Sequence, residues 1–136
     1  MRSVLLVEDD FFDTMTVQKA FEKFSIQHKL YTAFNGLEAL DLLLGHNGAE
    51  PIQPLPEVIL LDLNMPKMNG HEFLVELRSH PEFSEIPVFI TTTSAMDIDR
   101  ARAQNLGVSG YILKPLDFET GNDMVDSISL LEQLLK

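Results

Sequence analysis

Apolar residues in this chain gather in short runs, and each run stops at a polar or turn-forming residue. Val4 to Val7 halt at Glu8-Asp9-Asp10, and Val58 to Leu61 lead straight into Asp62. Pro87 to Thr92 close in hydroxyls that continue through Thr93 and Ser94, and Gly110 to Lys114 are stopped by Pro115. Runs of this length, apolar throughout, predict strands covered on both faces, as in a parallel sheet. Lys29 to Phe34 alternate in part and predict one more strand.

Helical spacing fills the intervals. Val17, Ala20, Phe21 and Phe24 recur as one face of a helix that starts at Phe11. Asn35 is placed to cap a helix over Leu37 to Leu44, with Gly36 just inside it. His71 to Ser79 predict a short helix that ends before Pro81. Asp97 to Leu106 predict a polar helix with Gly107 as its C-terminal glycine. The last helix is expected to begin near Asp117 or Phe118, with Met124, Ile128, Leu131 and Leu135 facing inward. Residues 45–56 are rich in Pro and Gly and predict a surface loop, and Pro66 with Asn69-Gly70 predicts another. The strand–helix alternation predicts a parallel sheet with helices on both faces.

Composition narrows the function classes. At 136 residues the chain suits one domain with a real core. A formal net charge of −11 argues against nucleic-acid binding, which wants a basic face. The absence of cysteine excludes disulfides and thiolate zinc sites, and it fits a reducing cytoplasm. The apolar start is cut off by Glu8-Asp9-Asp10, so it predicts a strand and no signal peptide. No apolar stretch is long enough to span a bilayer.

The candidate chemistry lies at the carboxyl ends of the strands, where open α/β sheets bind ligands. Those ends carry Glu8-Asp9-Asp10, Asp62, Thr92 and Lys114. Crowded carboxylates repel one another, and a divalent cation relieves the repulsion. His28, His46, His71 and His80 share no ligand spacing, so an all-oxygen site suits Mg²⁺ rather than zinc. A lysine and a hydroxyl facing that cation are what the remaining oxygens of a phosphoryl group need.

The pieces Leu6-Val7-Glu8-Asp9-Asp10, Leu61-Asp62-Leu63-Asn64-Met65-Pro66 with Gly70, Pro87 through Ser94, and Gly110 through Pro115 together resemble the receiver domain of two-component response regulators. The resemblance covers nearly the whole chain and is closest to single-domain members of the chemotaxis and phytochrome type. It implies a flavodoxin-like fold: five parallel strands in the order 2-1-3-4-5 with five helices. It implies a receiver (response regulatory) domain over residues 1–136 with no output domain.

By the same resemblance, Asp62 accepts a phosphoryl group from a sensor histidine kinase or phosphotransfer protein. Asp9 and Glu8 hold Mg²⁺ together with Asp62 and the Asn64 carbonyl. Thr92 and Lys114 contact phosphoryl oxygens, and the Lys114–Pro115 bond is cis. Thr92 and Tyr111 form the switch, and Thr93 and Ser94 help to admit the hydrolytic water. Asp10 is a flanking residue. Phe12, Thr16 and Lys19 are candidate kinase contacts. The implied protein is cytoplasmic, a monomer or weak dimer, with a protein effector downstream. It catalyses only its own phosphorylation and dephosphorylation.

Other readings compete. A phosphohydrolase of the haloacid-dehalogenase type also uses a strand-end Asp, Mg²⁺ and a Lys. It wants a second Asp two places after the first, where this chain has Asn64. A flavin or nucleotide module wants a Gly-rich phosphate loop after the first strand, where this chain has acids. A receiver-like binding module that is not phosphorylated would have no need of the Asp, Thr and Lys set.

Overall fold

The computed structural model describes residues 2–65, 67–116, 118 and 124–135, with side chains in the last helix from Asp126 onward. The elements run β1 (Ser3–Val7), α1 (Phe11–Lys23), β2 (Lys29–Ala33), α2 (Gly36–Leu44), β3 (Val58–Asp62), α3 (Gly70–Ser79), β4 (Val88–Thr92), α4 (Ala95–Gln104), β5 (Gly110–Leu113) and α5 (Met124–Leu135). A single 3-10 turn, Pro81–Phe83, follows α3. The strands form one parallel sheet in the order β2-β1-β3-β4-β5. This is the flavodoxin-like order expected from the sequence.

The continuous apolar strands β1, β3 and β4 are buried along their whole length because both sheet faces are covered. Side chains alternate between the faces. Leu5, Val7, Ile59, Leu61, Val88 and Ile90 pack with Ala39 and Leu43 of α2 and Phe73, Leu74 and Leu77 of α3. Val4, Leu6, Val58, Leu60, Phe89 and Ile112 pack with Val17 and Phe21 of α1 and Leu130 and Leu134 of α5. Full burial of each such side chain stabilises the fold by about 1.5–3 kcal/mol before conformational entropy is counted.

Local signals account for most helix starts. Asp10, Asn35, Asn69 and Ser94 each accept a backbone N–H from three residues on. Asn69 and Glu72 form a reciprocal capping box at α3.

Two helices depart from expectation. The polar helix α4 starts at Ala95, because Ser94 rather than a later residue takes the cap position. It ends at Asn105, which adopts the left-handed conformation expected of Gly107, with φ 51°. Asparagine tolerates that region, and Gly107, also left-handed, shapes the following loop. In α5 the inward stripe is Ser127, Leu130 and Leu134, whereas Ile128 and Leu135 are exposed and Leu131 is half-buried. The expected stripe was out of phase because the helix is apolar on several sides and Ser127 occupies a core position. Met124's side chain and Asp117 lie outside the described residues, and Phe118 sits buried in a turn.

Candidate functional site

Alternation along the strands explains which side chains meet. Glu8 continues the Val4–Leu6 face past the end of β1, and Asp62 continues the Val58–Leu60 face of β3. Lys114 continues the face of Ile112 beyond β5. All therefore emerge on the α1/α5 side of the sheet, at its carboxyl edge. Asp9 and Asp10 belong to the loop entering α1.

The β3–α3 loop folds back tightly over this edge. Gly70 N–H donates to the Leu63 carbonyl at 3.0 Å. A Cβ at Gly70 would lie 2.5 Å from the Asp62 carbonyl oxygen, so only glycine fits. The Asn69-Gly70 pair thus seats the β3–α3 loop directly on the strand that carries Asp62.

Lys114 Nζ binds Glu8 Oε1 at 2.6 Å and Asp13 Oδ2 at 2.9 Å, and stands 3.4 Å from Asp62 Oδ1. The Lys114 backbone N–H donates to the Thr92 carbonyl at 2.8 Å, and the Lys114–Pro115 bond is cis. Glu8 and Asp62 are almost wholly buried. Burial pushes the Glu8 carboxyl up to about 7; the Lys114 bond opposes this and the Asp62 charge adds to it. Burial likewise raises Asp62, against the pull of Lys114 and the Asn64 N–H. For Lys114, burial acts to lower the ammonium's pKa, but the carboxylates of Glu8, Asp13 and Asp62 outweigh it and raise it. The ammonium is therefore permanently charged and shared among acids.

Glu8, Asp9 and Asp62 each offer a carboxylate oxygen within 4.8 Å of one another. Three hard oxygen donors beside open solvent fit a divalent cation that keeps several waters. Asn64 borders the same crevice; its N–H donates to Asp62 Oδ1 at 3.4 Å and its Nδ2 to Asp97 Oδ2 at 3.1 Å. Asp10 caps α1 through the Asp13 N–H. No histidine belongs to the acidic cluster, and His28 instead pairs with Glu57 at 2.7 Å near the opposite edge of the sheet.

Thr92 lies apart from the acids. Its side chain continues the face of Val88 and Ile90, it is fully buried, and its Oγ1 accepts the Ser94 N–H at 3.3 Å. Thr93, not Thr92, lines the acidic crevice. Tyr111 is half-buried: its hydroxyl donates to the Ala101 carbonyl at 3.4 Å, and the Arg102 guanidinium lies 5.3 Å from its ring centre. Its backbone N–H donates to Asp126 Oδ2 at 2.8 Å. Thr16 and Lys19 line a groove between α1 and the segment after β5, and Phe11 and Phe12 are both exposed at the start of α1.

Sequence reasoning missed Asp13. The signal was present, since it is the third residue of a helix capped by Asp10, and helical side chains lean toward the N-terminus. That lean carries its carboxylate back over the strand ends.

A family model for the response regulator receiver domain matches residues 4–126. The chain belongs to that family. The receiver is 38% identical over 125 residues to the probable methanogenesis regulatory protein FilR2 of Methanothrix harundinacea, covering 92% of this chain and 79% of that one. It is 36% identical over 125 residues to response regulator Rcp1 of a Synechocystis strain, covering 92% and 84%. A two-component response regulator from Legionella pneumophila superposes with a TM-score of 0.82 at 38% identity, covering 99% and 98%. The Mn(2+)-bound form of response regulator Rcp1 superposes with a TM-score of 0.73 at 30% identity, covering 99% and 94%.

The chain is thus a receiver of phosphorelay signalling and not a haloacid-dehalogenase phosphohydrolase. Receivers of this family are not classical enzymes, bind a divalent metal, and interact with histidine kinases or phosphotransfer proteins and with effectors. Among the described residues no helix is long and apolar enough to cross a membrane.

Proposed function

We propose that this receiver takes a phosphoryl group onto Asp62 from a phosphohistidine, with Mg²⁺ as its cation, and that the modified form presents an altered face to a separate protein effector. The observation that carries this reading is the Lys114 ammonium held between Glu8 and Asp62 beside three clustered carboxylates. Among the described residues no other constellation joins a carboxylate, a cation seat and a fixed positive charge.

Glu8, Asp9, Asp62 and the Asn64 carbonyl hold the cation, and Mg²⁺ suits them because all are hard oxygens. When bound, the cation neutralises charge on the transferring group. An Asp62 carboxylate oxygen attacks the phosphorus, the phosphorus–nitrogen bond breaks, and the electron pair leaves with the imidazole of the donor histidine. Lys114 pairs with a phosphoryl oxygen as it arrives. The acyl phosphate adds roughly −1.5 to −2 charge and new acceptor oxygens.

Thr92, whose hydroxyl rests on Ser94, turns to donate to one of those oxygens. Its release loosens the β4–α4 loop and the Tyr111–Ala101 contact, so that Tyr111 moves inward. Thr93 and Ser94 help to admit the water that later hydrolyses the bond. The receiver modifies and restores only itself, works in the cytoplasm as a monomer or weak dimer, and receives its kinase along Phe12, Thr16 and Lys19.

The test is incubation with phosphoramidate or acetyl phosphate and Mg²⁺, followed by intact-mass measurement. A single labile phosphate is expected, absent in Asp62→Asn and absent after chelation. Labelling that survives Asp62→Asn would sink the assignment. Lys114→Ala is expected to bind Mg²⁺ yet to lose the spectral response to beryllofluoride.

A further inference from the structure

The Lys114 ammonium has its short contacts to Glu8 and Asp13, and its longer one to Asp62. Asp13 stands outside the group of acids placed to hold a cation. It reaches the lysine from α1, an element that otherwise supplies nothing to the strand-end chemistry. Backbone hydrogen bonds hold it in place. The Asp10 carboxylate fixes the Asp13 N–H at 3.0 Å, and Thr14 N–H returns to the Asp10 carbonyl. Beside the Lys114–Asp13 pair lies a small cavity lined by Leu6, Val17, Pro115 and Leu116 together with Thr16 and Thr91. The apolar part of that wall offers the ammonium no acceptor.

We infer that Asp13 is a positioning residue that holds Lys114 toward α1 and competes with Asp62 for its ammonium. This rests on the reading of Asp62 as the phosphoryl acceptor. An ammonium has three N–H donors, and Asp13 and Glu8 engage it most closely before any phosphoryl group arrives. For Lys114 to serve the transferring group it must loosen its bond to Asp13. The strength of that bond sets how readily Asp62 is phosphorylated and how firmly the phosphoryl oxygens are then held. An isosteric amide in place of the Asp13 carboxylate weakens the tether and leaves the lysine to Asp62.

The experiment compares wild type, Asp13→Asn, Asp13→Glu, Lys114→Ala and the Asp13→Asn/Lys114→Ala double variant. Labelling by phosphoramidate is followed by intact mass, and Lys114 by ¹H–¹⁵N NMR of its ammonium in metal-free protein. Asp13→Asn is expected to label faster by about three- to tenfold, the size of effect a single partly buried charge contact can exert on a barrier. Its Lys114 ammonium resonance should shift, and Asp13→Glu should restore both values toward wild type.

In the Lys114→Ala background, Asp13→Asn should change the rate less than about twofold, as coupled residues require. If the acceleration persists without Lys114, Asp13 acts only through the general field and the inference fails. If Asp13→Asn labels like wild type with an unshifted Lys114 resonance, it also fails. Asp13→Ala, a good helix former, gives the same comparison should the amide disturb the fold. Absence of labelling in wild type would instead overturn the Asp62 reading, while the resonance still reports on the tether.

Discussion

At the scale of single residues, geometry turns ordinary side chains into constrained ones. Gly70→Ala would drive a methyl group into the Asp62 carbonyl and the Leu63 Cα, both backbone atoms that cannot swing aside. The expected cost is about 1–3 kcal/mol, read as a lower urea midpoint, with weakened Mg²⁺ binding because the Asp62 end of β3 must shift. Unchanged stability would mean that the loop gives way to the added methyl group. Glu8 carries a pH dependence. Its carboxyl is held up to about 7 by burial first, so the metal-free fold retains a proton that the unfolded chain releases in the ordinary carboxylate range. Stability of the metal-free protein should therefore fall as pH rises toward 7 and level off above it. A cation has to displace that proton, so Mg²⁺ affinity should be about tenfold weaker at pH 6 than at pH 8 by calorimetric titration. Equal affinities would show Glu8 already ionised. The strand-end acids and lysine were legible in the sequence because each terminates an apolar run. Asp13 was harder to read, because its signal lies in the backward lean of one capped helical turn and not at the end of an apolar run.

At the scale of elements, the caps at Asn35 and Asn69 and the apolar strands could be read directly, since each signal is local. The phase of α5 could not. Leu130, Leu131, Leu134 and Leu135 offer overlapping stripes, and only the sheet decides which one it covers. The described helix makes a sharp distinction between neighbours. Leu130→Ala should destabilise by about 2–5 kcal/mol and Ile128→Ala by well under that, because Leu130 is fully buried and Ile128 is exposed. Thermal or urea unfolding of both variants checks it, and similar losses would restore the other phase. The end of α4 was misjudged for a related reason. Asparagine and glycine both accept left-handed backbone, and the sequence holds Asn105 and Gly107 two places apart.

At the scale of the whole molecule, the strand order brings residues far apart in sequence to one rim. β1 and β3 are neighbours, so Glu8 and Asp62 meet. Lys114 reaches both from the far side of β4, stretching across a strand that contributes Thr91 to the same wall. The fold therefore concentrates negative charge where a net charge of −11 already disfavours compaction. Saturating Mg²⁺ should raise the melting temperature more than an equal ionic strength of NaCl. At a concentration of 100 times Kd the gain is about 2.7 kcal/mol. A matching shift from NaCl alone would mean screening without a specific seat.

The Asp126 carboxylate has one more effect. It occupies an outward-facing amide of β5, the last strand on that flank of the sheet, and also lies 3.6 Å from Arg102. A visiting backbone thus meets no vacant hydrogen-bond donor at Tyr111, and fusion of sheets through this border is discouraged. Whatever docks there has to read side chains instead, unless it first prises the carboxylate away. Asp126→Ala would then trade a selective surface for an adhesive one.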